Sequence, residues 1–180
     1  MSDETTTTDA AGDDSATARP RRLEVDRAIA ADPATIFDVL RSPTGHVQID
    51  ASGMLMSAEG DPASGVGDRF VVHMDRDSLR DFDLGEYDVT VVFTVFEPDR
   101  EIAWTIDGQM QPPIGHVYGY RLEPIDGGTL VTSYYDWSNI HEAYEAMVDA
   151  VFPVISETNL RATLGILART VAPGRGRPGA

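Results

Sequence analysis

The stretch IGHVYGYRLEPIDGGTLVTSYYDW, residues 114 to 137, decides how the rest of the chain is read. Read as a strand, its first half puts His116, Tyr118, Tyr120 and Leu122 on one face and Val117, Gly119, Arg121 and Glu123 on the other. The Arg and Glu face belongs in water. The buried face then carries an imidazole and two phenols where an ordinary core strand would carry Val, Ile or Leu, and each polar tip needs a hydrogen-bond partner. Asp126-Gly127 reads as a two-residue hairpin turn. With that turn, Leu122 faces Val131, Tyr120 faces Ser133, Tyr118 faces Tyr135, and His116 faces Trp137.

Outward from this hairpin, other strands carry similar signals. Arg22 to Ala30 alternates as a first strand, and Asp32-Pro33 supplies an N-cap and first helical position for a helix burying Ile36, Phe37 and Leu40. Pro43 to Asp50 reads as a further helical turn. MLMSAE is a short strand, GVGDRFVVHMD a third, EYDVTVVFTVFEPD a long β-branched fourth, and EIAWTIDG follows the Pro98-Asp99-Arg100 turn. The segment from about 140 to 171 reads as helical with a break at Pro153, and Leu160, Leu164, Leu167 and Val171 form an apolar stripe along its last part. The segment SNIHEAYEAMVDAVFP reads as an amphipathic helix that either covers a cavity mouth or packs as ordinary core.

Composition bounds the function. A chain of 180 residues supports one domain, and no apolar run is long enough to cross a bilayer. The net charge of −16 disfavours nucleic acid and anionic membrane surfaces as partners. No cysteine is present, which excludes disulfides and thiolate chemistry, and all 14 basic residues are arginine. The opening MSDETTTTDAAGDD is acidic and polar, unlike a secretory signal, so the cytoplasm is the expected compartment. Residues 1–20 are expected to be a disordered acidic tail and 173–180 a flexible one, with one domain over 21–172.

Several motifs fail on inspection. HEAYE at His141 lacks the second His of a zinc helix, GVGDRF leads into a strand rather than a helix, and no G-x-S-x-G elbow occurs. No metal or cofactor is expected. His73 and Asp75 share a strand face opposite Phe70, Val72 and Met74, which places them in solvent if the apolar set points inward. His46 and Asp50, four apart, would share a helical face; they read either as a general base with its orienting carboxylate or as a surface His near a capping Asp.

The order of strand, short helices, about six antiparallel strands and a long last helix resembles the helix-grip fold of the START-like superfamily (SRPBCC, or Bet v 1-like). AIAADPATIFDVLRSP is similar to its strand-to-helix opening, FEPDREIAWTI to its Pro-turn hairpin, LEPIDGGTLVTSYYDW to its last hairpin, and LRATLGILARTVAP to its closing helix. Within that superfamily the chain looks most like the bacterial polyketide cyclase/dehydrase and lipid-transport group. Hotdog-type folds also wrap a sheet around a helix but place the long helix early.

The resemblance implies an α+β domain whose curved antiparallel sheet wraps the C-terminal helix and encloses a cavity. His116, Tyr118, Tyr120, Ser133, Tyr135 and Trp137 then become ligand-binding candidates for a hydrophobic or aromatic small molecule, lipid or polyketide-like. An aromatic cyclase or dehydrase is the alternative, with His46, Asp50, His116 and Tyr118 as candidates for moving protons. The same side chains also fit a core whose polar tips bond to backbone or buried water, and an interaction module using the acidic tail would have no cavity.

Overall fold

The computed structural model describes residues 20–80 and 83–179. The expected acidic tail therefore lies outside the described residues except for its last position. Among the described residues, the expected domain is a seven-stranded antiparallel sheet with four α-helices, in the strand order β1-β7-β6-β5-β4-β3-β2. Its strands are β1 (Arg22–Ile29), β2 (Leu55–Glu59), β3 (Arg69–Asp75), β4 (Glu86–Glu97), β5 (Glu101–Asp107), β6 (Val117–Ile125) and β7 (Gly128–Asp136). Helices α1 (Pro33–Leu40) and α2 (Pro43–Ile49) follow β1, while α3 (Val148–Val151) and α4 (Glu157–Val171) close the chain. This is the helix-grip α+β architecture.

Local chemistry accounts for the element ends. Asp32 caps α1 by accepting from the Thr35 N–H at 2.9 Å, and Pro33 takes the first helical position. Ser42 and Pro43 repeat that arrangement for α2. Ser156 and Asn159 form a reciprocal capping box at the start of α4. Helices α1 and α2 meet so closely at Gly45 that a Cβ there would lie 1.9 Å from the Val39 carbonyl oxygen, so only glycine fits.

The register of the last hairpin is the one that alternation and the Asp126-Gly127 turn require: Leu122 pairs with Val131, Tyr120 with Ser133, and Tyr118 with Tyr135. Helix α4 packs on β1 and β7 and on α1 and α2. Its Leu160, Leu164 and Leu167 are buried in a core shared with Ile29, Leu40, Ile102 and Val131. The helix thus fills the space over the β1/β7 half of the sheet.

The segment before α4 differs from the expected helix with one break. Glu142–Met147 is 3-10 helical, α3 is a single turn, and Phe152 to Ile155 is not helical at all. Tertiary contacts override the helical periodicity here: the Tyr144 hydroxyl donates to the Pro112 carbonyl at 2.6 Å, and Glu145 pairs with Arg21 at 2.8 Å. Beyond α4 the chain turns back, bringing Pro178 against Gly128 at the β6–β7 turn.

Candidate functional site

Over the other half of the sheet, the inner faces of β3 to β6 border a cavity of about 480 Å³. Strand alternation supplies most of its wall: Val72 and Met74 from β3, Tyr87, Val89 and Val91 from β4, Trp104 and Ile106 from β5, Tyr118 and Tyr120 from β6. Helix α2 and the loop after it contribute His46, Ile49, Asp50 and Met54; Leu160 and Thr163 come from α4. Met147, Val151, Val154 and Ile155 from the segment before α4 close one side. Leu84, Met110 and Met147 line the cavity while remaining 51%, 44% and 43% exposed, so they mark its mouth.

One group of candidates lies at the mouth end, where β3, β5 and β7 end and β4 and β6 begin. His116 precedes β6 by one residue, and its Nδ1 lies 2.9 Å from the Tyr135 hydroxyl. Tyr118 stacks on Tyr135 with ring centroids 4.6 Å apart, and Tyr135 stacks on Trp137 at 5.1 Å. Burial lowers the His116 ring to about 4, so it is neutral at physiological pH. Burial raises the phenols of Tyr118 and Tyr135 above their ordinary value and pushes Tyr120 up to about 12, so all three keep their protons.

Four of the six expected ligand-binding residues line the cavity: His116, Tyr118, Tyr120 and Ser133. Tyr135 and Trp137 do not. They are buried beside it on the same face of the sheet, where Tyr135 holds His116 through its hydroxyl and Tyr118 through its ring.

The expected His46–Asp50 pair does not form. The residue at 50 ends α2 with extended backbone (ψ 123), so the four-residue helical spacing no longer applies to it. His46 is 6% exposed rather than on the surface, with Nε2 bonded to the Leu40 carbonyl at 2.7 Å. A carbonyl can only accept, so Nε2 carries the proton. The ring packs against Trp104 and Phe70 at 4.4 and 4.9 Å, and burial lowers it to about 4. Asp50 caps the following loop by accepting from the Ser52 N–H and hydroxyl and the Leu55 N–H. Both residues border the cavity, but they act apart.

His73 lies on the opposite face of β3 from Phe70 and Val72, as alternation requires, and its Nδ1 is 2.6 Å from Asp88. Among the described residues, no group of three or more His, Cys, Asp or Glu side chains could hold a metal ion. No helix among them is long and apolar enough to cross a membrane.

The residue that sequence reasoning missed is Arg76. It is 8% exposed, lines the cavity, and donates from Nη1 to Met54 Sδ at 3.4 Å. Its signal was in the chain: Phe70, Val72 and Met74 fix the inward parity of β3, and position 76 continues it.

A curved antiparallel sheet gripping a C-terminal helix, with a largely apolar cavity between them, defines a small-molecule-binding helix-grip domain. The family described as polyketide cyclase/dehydrase and lipid transport matches residues 20–172, and the chain belongs to it. Among solved structures it is similar to protein CV1439 from Chromobacterium violaceum, with 15% identity, a TM-score of 0.61, and coverage of 85% of this chain and 98% of that one. An AHSA1-like protein from Aeromonas hydrophila gives 17%, 0.55, 83% and 91%, and the Aha1 dimer from Colwellia psychrerythraea gives 22%, 0.55, 86% and 98%. At such identities the likeness is one of fold. No curated protein matches the chain.

Proposed function

We propose that the protein binds and carries a mostly apolar small molecule, lipid- or polyketide-like, in this cavity, and that it does so in the cytoplasm. The observation that carries the reading is the cavity of about 480 Å³ walled by Val, Ile, Leu, Met and aromatic side chains with a few buried polar tips. Such a volume is in the range of small-molecule sites. His46 and His116, each lowered to about 4, are weak bases at neutral pH, which suits polar anchors better than proton abstraction.

One contact favours a second reading. His116 lies 2.9 Å from the Tyr135 hydroxyl and also borders ligand space, the arrangement an aromatic cyclase or dehydrase would use to relay a proton. Mass spectrometry of small molecules released from the purified native protein tests the carrier reading, which expects an apolar compound recovered unchanged after rebinding. Recovery of a cyclised or dehydrated product, lost in His116→Phe, would transfer the protein to the enzyme class. Absence of any released compound, together with no uptake of the neutral apolar dye Nile red, would refute the cavity as a binding site.

A further inference from the structure

Resting on that binding reading, we infer that His116 presents a fixed hydrogen-bond donor, Nε2–H, to the cavity, that Tyr135 positions it from β7, and that the cavity thereby selects apolar ligands carrying an uncharged acceptor oxygen. The two ends of the imidazole have different surroundings. Nδ1 lies 2.9 Å from the Tyr135 hydroxyl. Nε2 has no partner among the described residues, and the one sealed side-chain nitrogen or oxygen among them that lacks a partner is Arg27 Nε. His116 Nε2 therefore meets open space, and the space that His116 borders is the cavity. The ring is held in this orientation: Tyr118, Tyr135 and Phe152 meet it at 64°, 71° and 81° with centroids 5.2, 5.7 and 6.1 Å away, and the Thr105 hydroxyl donates to the His116 carbonyl at 2.8 Å.

The hydrogen bonds at Tyr135 decide which ring nitrogen carries the proton. Its hydroxyl has one proton to give, and the Tyr118 phenol and the Val154 backbone N–H also lie against its oxygen. A backbone N–H only donates, so it takes a lone pair of that oxygen. Of the two groups able to accept the Tyr135 proton, a neutral imidazole nitrogen is a far stronger base than a phenol oxygen, and a phenol is a far stronger acid than a neutral imidazole N–H. The Tyr135 hydroxyl therefore donates to Nδ1, Tyr118 donates to the Tyr135 oxygen, and the imidazole proton sits on Nε2.

A ring nitrogen that carries a proton has no lone pair with which to abstract another, so the cavity side of His116 anchors an acceptor and does not act as a base. Burial holds the ring neutral, down at about 4, and it offers a dipole rather than a charge. That is enough to compensate the burial of a ketone, ester or ether oxygen, whereas the larger desolvation cost of a carboxylate needs a charged partner that a neutral imidazole does not supply. A ligand without any acceptor leaves Nε2–H buried and unpaired. This penalty is the source of the selectivity.

Displacement of Nile red by 2-acetylnaphthalene, 2-isopropenylnaphthalene and 2-naphthoate tests the inference, because the first two differ only by an oxygen in place of a methylene and the third adds a charge. In His116→Phe the ketone-to-alkene affinity ratio should fall about fivefold from its parent value. Tyr135→Phe should lower the ratio in the same direction while leaving the affinity for the alkene unchanged. Long-range proton–nitrogen NMR at pH 7 reads the tautomer directly: Nε2 should be the protonated nitrogen in the parent, its signal should move with the ketone and not with the alkene, and in Tyr135→Phe the proton should redistribute between the two nitrogens. A ratio unchanged by His116→Phe, a proton on Nδ1 in the parent, or naphthoate bound more tightly than the ketone overturns the inference while leaving the cavity reading intact. An unchanged tautomer in Tyr135→Phe overturns the positioning role of Tyr135. If neither Nile red nor any of the three probes enters the parent protein, the binding reading itself fails. Should His116→Phe not fold, the parent spectrum with ketone and with alkene decides alone, and an Nε2 signal that responds to both alike refutes the anchor.

Discussion

Lowering the pH from 7 to 5 should destabilise this protein by an amount readable from two buried histidines. His46 and His116 each fall from an ordinary 6.5 to about 4 because burial penalises the charged ring. Between those values the unfolded chain binds a proton that the folded chain refuses, so the stability of the fold rises with pH across the window and is lost as pH falls. At 1.36 kcal/mol per pH unit, the descent to pH 5 costs about 2 kcal/mol per histidine, or about 4 kcal/mol for both. That is a large share of a typical domain stability of about 5–15 kcal/mol. His73 works in the opposite sense: its bond to Asp88 raises it, so its contribution is present at low pH and lost as pH rises through its folded value. It is exposed and common to every variant compared. Urea denaturation at pH 7, 6 and 5 should therefore show the midpoint falling in the parent. In His46→Phe, whose ring enters a site already walled by Phe70, Phe93 and Trp104, about 2 kcal/mol of the difference should disappear. A parent equally stable at pH 5 and 7, or a slope unchanged by His46→Phe, would refute the buried neutral ring.

Two substitutions separate the packed half of the molecule from the open half. Leu164→Ala empties a fully buried position where α4 meets the core and should cost about 2–5 kcal/mol in chemical denaturation; unchanged stability would mean that the helix is not packed there. Ser133→Phe places a ring at a position 1% exposed on the cavity wall, beside Tyr120, so the ligand-free melting temperature should hold or rise slightly while Nile red uptake falls. In a close-packed core the same ring would cost about 1–3 kcal/mol, and a sharp drop in melting temperature would count against the cavity.

The sheet was legible because strand alternation is a local property with a strong consequence. Once Asp126-Gly127 is taken as a two-residue turn, a slip of one residue would turn Tyr118, Tyr120 and Ser133 to solvent, and the cross-strand pairing of Tyr120 with Ser133 follows without knowledge of any other strand. Helical spacing was less reliable at ends. His46 and Asp50 are four apart in sequence, yet α2 stops at Ile49, so one faces an aromatic cluster and the other caps a loop. The segment at 142–155 was not legible, because its conformation depends on Pro112 and Arg21, partners about 30 and more than 100 residues away. Arg76 was legible in principle: its parity was fixed by three apolar neighbours, and a charged residue at an inward position is more informative than another valine.

The placement of polarity explains how one sheet can be both rigid and open. Where α4 grips β1 and β7, the interior is aliphatic: Ile29, Val131, Leu164 and Leu167 exclude one another's solvent and supply the packing that the whole domain shares. Over β3 to β6, where α1 and α2 rather than α4 reach the sheet, the same sheet must present a wall without collapsing onto it. Stacked rings do this: Tyr118 on Tyr135, Tyr135 on Trp137, and Trp104 on Tyr120 brace one another side by side along the inner face. Their polar tips and the two histidines are held neutral by burial, which makes a polar wall far cheaper than a charged one.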